Sequence, residues 1–407
     1  MRYAKPHLYD SSLHSEFQKS LKAQVSRYFS SQSKSQKGNG LMAVKVLFFT
    51  ALYWTTWSSL ALHAHSLAIT ALLGVAFAFV NILLAFNISH DAVHESITGN
   101  KRLDSLIFHL TFNPLGPNAY LWKIRHNNAH HFFVNIPGSD MDIEGTSLLR
   151  VAPHVPWRPL HRFQHLYCSL FYSVFTLHWI LFKDFKIMRM KSFGSMTDIK
   201  HSPLRWVEMI AWKLFYFSYM IALPVATLPY HVTTVLLGYV AFQLFVSFWL
   251  LLFFAASHIA MESHYVIQDD AGHIPHSFLE HQLLTSVDYH AQNRIFGFIF
   301  GGFNAHVAHH MFPQICSVHY PALTRIIRDT AQAHGLPYHE LSFFQIIRSH
   351  FRLMKTLGQG PTAGERFVVS GTGIVPLAEP VAPAAFNDSE VLFAKAVAVD
   401  VSPMLTR

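Results

Sequence analysis

The chain has 407 residues, of which 51% are hydrophobic, 14% aromatic and only 13% Asp, Glu, Lys or Arg. Soluble domains carry about 25% of those four charged types, so an ordinary water-facing surface is excluded, and intrinsic disorder with it. Two cysteines, Cys168 and Cys316, exclude a disulfide framework and a Cys-based zinc site. No basic segment, short apolar core and cleavage site opens the chain, so no cleaved signal peptide is expected.

Residues 1–40 are polar and rich in Ser, Gln and Lys, and are expected to be mobile apart from a short amphipathic stretch. Apolar runs near 20 residues suffice to cross a bilayer. The first covers 41–62, interrupted by Lys45; the second, 67–89, holds no charge. A run over 106–122 is broken by Pro114, Gly116 and Pro117 and is too short to cross. Residues 163–182 are uncharged and long enough. Two more runs follow, 206–229, which contains Glu208, Lys213 and Pro224, and 232–257, which is uncharged. Beyond about 358 the composition turns to Pro, Ala and Val without period, and 358–407 reads as a loosely ordered tail. The organisation expected is thus a polar segment 1–40, a membrane domain 41–357 and the tail.

Lysine and arginine orient the spans. Seven lie in 1–40, thirteen between the second and third spans and nine from 258 onward, whereas the connections 63–66 and 229–231 have none. Spans at 41–62, 67–89, 206–229 and 232–257, paired as two hairpins, put both termini and the middle loop in the cytoplasm. Were 163–182 to cross, its basic flanks (Arg158 and Arg162 before, Lys183 and Lys186 after) would face opposite compartments. It is read as lying in the interface plane, as is 106–122.

Histidine is the odd number: 29, against 23 Asp plus Glu. Three clusters stand out: His90-Asp91-Ala92-Val93-His94, His126-Asn127-Asn128-Ala129-His130-His131 and His306-Val307-Ala308-His309-His310. On a helix, residues i and i+4 share a face, so each cluster can aim two or three imidazoles at one point. One such pair is unremarkable in so histidine-rich a chain; three on one side of the membrane are not. Lone histidines such as His63, His178 and His231 read instead as interfacial or core residues. Eight neutral nitrogens exceed what one zinc ion takes and suit two first-row metals.

These clusters resemble the three histidine boxes of the integral-membrane fatty acid desaturases. The surroundings are similar to the bacterial acyl-CoA and acyl-lipid branch: His-Asp-Ala-Val-His-Glu from His90, Trp122-Lys123-Ile124-Arg125-His126, Asp140-Met141-Asp142-Ile143 and His309-His310-Met311-Phe312-Pro313, within a likeness covering roughly 41–355. The resemblance implies an all-α, four-span bacterial inner-membrane protein with a cytoplasmic helical cap. In it His90, His94, His126, His130, His131, His306, His309 and His310 hold two irons, and His258, closing the fourth span, is a ninth ligand. Asp91, Asp140 and Asp142 would orient imidazoles from behind, with Glu95 and Glu262 as further candidates.

The implied reaction consumes O2 and two electrons to place a cis double bond in an acyl chain carried on CoA or a lipid. The branch that desaturates toward the carboxyl end commonly has Gln where His306 stands, and many of its members carry a fused cytochrome b5 domain with a His-Pro-Gly-Gly motif. That motif is missing here, so a separate carrier such as ferredoxin or cytochrome b5 is expected. Phe112, Tyr120, Trp122, Phe171 and Trp249 are candidate tunnel linings; Lys123, Arg125, Arg158 and Arg162 are candidates for a phosphate-bearing headgroup or CoA, or for holding the loop against anionic membrane lipid. No motif supports nucleic-acid binding. The nearest rival is a di-iron lipid or carotenoid hydroxylase or ketolase; a bis-histidine haem electron carrier is more remote.

Overall fold

A computed structural model describes residues 2–3, 8–144, 146–359, 367–370 and 373–376. In chain order its helices are α1 Ser15–Ser30, α2 Gly40–Leu62, α3 Leu67–Val93, α4 Lys101–Phe112, α5 Ala119–Arg125, α6 Pro159–Arg189 and α7 Pro203–Thr227. They continue as α8 Val232–Ala256, α9 Phe278–Thr285, α10 Arg294–Phe300, α11 His306–Met311, α12 Tyr320–Ala333 and α13 Phe343–Leu357. Strands among the described residues are short pairs, such as Leu8–Tyr9 with His273–Ile274. The expected tail lies outside the described residues beyond Gln359, except for an antiparallel pair, Phe367–Ser370 with Gly373–Pro376.

Among the described residues, four helices are long and apolar enough to cross a membrane: α3, α6, α7 and α8. Three coincide with expected spans. The fourth, α6, contains 163–182, whereas α2 is not among the four. Lys45 and the stretch Trp54-Thr55-Thr56-Trp57-Ser58-Ser59 dilute its apolar character. Nevertheless α2 packs along α3, burying Phe49 and Tyr53 with Phe77 and Val80. The turn after α2 meets the turn after α7, where the Tyr230 hydroxyl donates to the His65 carbonyl at 2.8 Å and Thr227 Oγ1 donates to the Ala61 carbonyl at 2.6 Å.

The course of α6 can be followed from its partners. Near its start Gln164 donates to the Met354 carbonyl (2.8 Å) and Cys168 packs with Ala255, at the far end of α8 from that turn. Midway, Thr176 reaches Gln243 and Ser247, halfway along α8. After a π turn at Trp179–Lys183, Ile180 packs on Tyr216, Asp184 pairs with Lys213 at 2.6 Å, and Ile187 and Met188 join Met209, back toward the start of α7. Both ends of α6 therefore lie at the same end of the α7–α8 pair, with its middle deepest between them.

The α4–α5 connection dips to the same depth. The Pro114 carbonyl accepts from the Tyr53 and Tyr219 hydroxyls, and the Gly116 carbonyl from Lys213 Nζ at 2.8 Å. Gly116 has φ of 110°, and a Cβ there would stand 2.6 Å from Ile180 Cδ1, so only glycine fits. The amphipathic stretch expected near the start is α1. Its Phe17, Leu21, Val25 and Phe29, four residues apart, are buried against Leu323, Ile327 and Ala331 of α12. At about 1.5–3 kcal/mol per buried apolar side chain, this stripe docks a segment whose composition is otherwise that of a mobile leader.

Candidate metal centre

The three clusters meet at the ends of α3, α5 and α11. The first follows a π turn, Ala85–Ser89, within α3; the second is itself a π turn, His126–His130, continuing α5. In a regular α turn His126 and His130 would share a face. The wider π turn, closed by the His131 amide on the His126 carbonyl (3.0 Å), brings His131 to that face, with the two Nε2 atoms 3.1 Å apart. His130 is left aimed elsewhere. In the third cluster His306 and His310 converge (3.2 Å between Nε2 atoms), and His309 points to the other side.

Two buried groups result. One is His90, His94, His126, His131 and His309, with Nε2 separations of 3.1 Å for His94–His126 and 3.0 Å for His131–His309. The other is His130, His258 and His310, joined by His306, whose Nε2 lies 2.7 Å from that of His258; His258 and His310 are 3.0 Å apart. Nitrogens bound at 2.0–2.1 Å at right angles around one metal stand about 3 Å apart, so these spacings fit shared metal seats. The Nε2 atoms of His90 and His130 are buried without a protein partner, as open ligand positions would be.

The electrostatics also fit. Burial lowers His94 and His258 to about 3, and burial with mutual repulsion lowers His126, His131, His306, His309 and His310 well below the ordinary imidazole value. They are neutral at physiological pH, with lone pairs free for a cation. His130 differs: burial pulls it down, but Asp140 and Asp142 outweigh this and raise it. A carbonyl oxygen only accepts, so the 3.0 Å contact from His258 Nδ1 to the Thr285 carbonyl places the proton on Nδ1 and leaves Nε2 as ligand.

Of the carboxylates singled out in the sequence, Asp140 lies 3.2 Å and Asp142 3.5 Å from His130 Nδ1, and Asp142 also pairs with Arg125. Asp91 is placed differently. Its Oδ2 accepts from Ser317 Oγ at 2.6 Å and from the Ser317 amide, tying the first cluster to the loop after the third. Glu95 pairs with Lys123 at 3.2 Å, and Glu262 accepts from Ser349.

Sequence reasoning did not find Asn135, which sits at φ 56° and donates to the His258 and His264 carbonyls at 3.0 Å each, bracing the second cluster against the end of α8. Nor did it find Asp288. That carboxylate caps the third cluster by accepting from the Val307 amide (2.8 Å), and burial raises it to about 7. Asn135 comes from a loop and Asp288 from the two-residue strand Asp288–Tyr289, and the composition of neither carries a signal.

A cavity of about 560 Å³ begins at His90, His130 and His258 and runs between α3, α6 and α8 to Asn81, Thr176 and Gln243. Phe112 and Trp122 line it as expected. Tyr120 instead contacts His201 (3.0 Å), and Phe171 and Trp249 pack elsewhere, against Tyr167 and Phe253; Phe175, Trp179, Phe254 and Phe303 take their places on the wall.

Apolar helices of spanning length, nine gathered imidazoles and an apolar cavity leading from them define an integral-membrane protein with a histidine-rich site that could hold metal. The family model for fatty acid desaturases matches residues 66–342, and the chain belongs to that family. It is 27% identical over 346 residues to the sn-1 linoleoyl-lipid 6-desaturase of Synechocystis sp., covering 84% of this chain and 96% of that one. The enzyme of the same name from Arthrospira platensis is 27% identical over 85% of this chain and 93% of its own length. The acyl-lipid (8-3)-desaturase of Physcomitrium patens is 27% identical over 83% and 71%.

Proposed function

We propose that the protein inserts a cis double bond into an acyl chain of a membrane lipid. The observation that carries this reading is the apolar cavity with both histidine groups at its head. All nine histidines are assigned as ligands, His90, His94, His126, His131 and His309 at one seat and His130, His258, His306 and His310 at the other. Two irons held there, supplied with O2 and two electrons from a separate carrier such as ferredoxin or cytochrome b5, would provide the oxidant for unactivated methylenes.

The chain's own residues supply the rest. Asp140 and Asp142 orient His130, the Thr285 carbonyl fixes the His258 tautomer, and Tyr320 sits 3.2 Å from His309 Nδ1. Aromatic walls exclude water and hold the acyl chain extended past the seats. The relatives' acyl-lipid substrates support a lipid rather than CoA as acyl carrier. A haem carrier is disfavoured because ring nitrogens 2.7–3.2 Å apart leave no gap for a porphyrin between them.

For topology we propose spans α2, α3, α7 and α8 with both termini and the seats cytoplasmic in a bacterial inner membrane, and α6 entering partway without crossing. The return of both α6 ends to one end of α7–α8 supports this. Cysteine labelling beside Arg158 and Lys186 should report the same exposure, and opposite exposure would overturn it. Expression in a host with simple lipids, followed by gas chromatography–mass spectrometry, tests the reaction. Products lighter by two hydrogens are expected; a gain of one oxygen would assign a hydroxylase instead.

A further inference from the structure

The cavity reaches the surface beside the second half of α6, and three cations stand there one helical turn apart: Lys183, Lys186 and Arg189. Neighbouring cations are neutralised, Arg125 by Asp142 and Lys213 by Asp184. Among the described residues Lys183 Nζ has no ion-pair or hydrogen-bond partner. It lies over the rings of Phe175 (4.6 Å) and Trp179 (5.1 Å) on the cavity wall. The Asp142 and Asp184 charges act on it only from beyond contact and are already paired with Arg125 and Lys213. Ring faces compensate only part of an ammonium's lost hydration, so this position favours an anion that arrives with the substrate. Outside it, Lys186 and Met190 line both the cavity and an adjoining surface cleft of about 600 Å³, floored by Leu181, Phe182 and Phe185 and edged by Arg189.

We propose that this portal seats an intact anionic glycerophospholipid: its phosphate on Lys183 and Lys186, one acyl chain in the cavity and the second in the outer cleft. The proposal rests on the desaturase reading, and it names the substrate class of that site. The cleft chooses between carriers. Leu181 and Phe182 are 44% and 63% exposed on a helix apolar enough for a membrane, so whatever lies beyond the phosphate must itself be apolar. A second acyl chain meets that condition; the nucleotide of an acyl-CoA would lay polar groups against it.

Binding tests this apart from turnover. Purified full-length protein in detergent would be loaded with phosphatidylglycerol, with uncharged diacylglycerol or with oleoyl-CoA, and retention read by native mass spectrometry. The K183Q/K186Q double variant should retain at least tenfold less phosphatidylglycerol with diacylglycerol unchanged, and K183R should restore retention. Should the double variant fail to fold, the exposed single variant K186Q should still lose about threefold. Undiminished phosphatidylglycerol in the charge-neutralised variants, or its displacement from the unaltered protein by equimolar oleoyl-CoA, would overturn the proposal. Protein that binds phosphatidylglycerol in this charge-dependent way yet forms no double bond would refute the desaturase reading and leave the lipid site standing.

Discussion

The two histidine groups are built alike but backed differently. The five-residue group leans on aromatic rings: Trp122 stacks on His126 at 4.3 Å and 14°, and Phe303 lies 4.3 Å from His90. The other is backed by charge and dipole, with Asp140 and Asp142 behind His130 and the Thr285 carbonyl behind His258. A carboxylate behind an imidazole makes it a stronger donor, and an aromatic face fixes its plane without doing so. Metals held in the two groups would therefore differ in affinity and potential, although the side chains offered are chemically the same.

The harshest test removes a ligand from each side. His258→Ala and His309→Ala should both abolish product, each lowering bound metal, as read by mass-spectrometric metal analysis; two metals and normal turnover in His258→Ala would break the pairing of seats. A smaller effect should follow Asp140→Asn. Loss of such a partner weakens metal affinity or activity about 10–100-fold, and a metal titration should show one seat weakened and the other intact. Equal weakening of both would erase the difference between the two groups.

In metal-free protein acid should act on the buried histidines around the seats as well as on those in them. Burial lowers His281 to about 3 and His264 and His350 to about 4. Their folded values lie below the unfolded 6.5, so the unfolded chain takes up protons first as pH falls. Their stabilisation is present above pH 6.5 and is lost progressively toward pH 3–4. Between pH 7 and 5 the loss is about 2 kcal/mol per histidine, visible as a falling denaturation midpoint of metal-free protein; a flat midpoint would contradict it. The mildest variants are His63→Ala and His231→Ala, at the remote turns. Turnover should stay within about twofold, although His231→Ala forfeits the helix cap that its Nδ1 gives the Thr233 amide, worth about 0.5–2 kcal/mol.

Eight of the nine gathered histidines were legible from helical spacing within three clusters, and His258 only through the family resemblance. Their division between two seats was not, since it turns on a π turn that tertiary packing selects. The apolar runs 206–229 and 232–257 appear as α7 and α8. The path of α6 needed its partners, because hydropathy cannot tell a helix that crosses from one that enters and returns. Lys183 and Lys186 were visible only as basic flanks; that they border the cavity depends on the π turn in the second half of α6, which periodicity does not show.

The π turn at the second cluster also bears on how such sites can be recognised from sequence. A regular α turn one residue shorter, with two residues instead of three between the lone histidine and the pair, would present the outer imidazoles to the same face. The interval is therefore degenerate: insertion of one residue, absorbed by widening one turn, leaves the function of the face unchanged. A pattern that fixes the gap between His126 and His130 would overlook chains that are equivalent in space, whereas one that lets it vary by a single residue would find them.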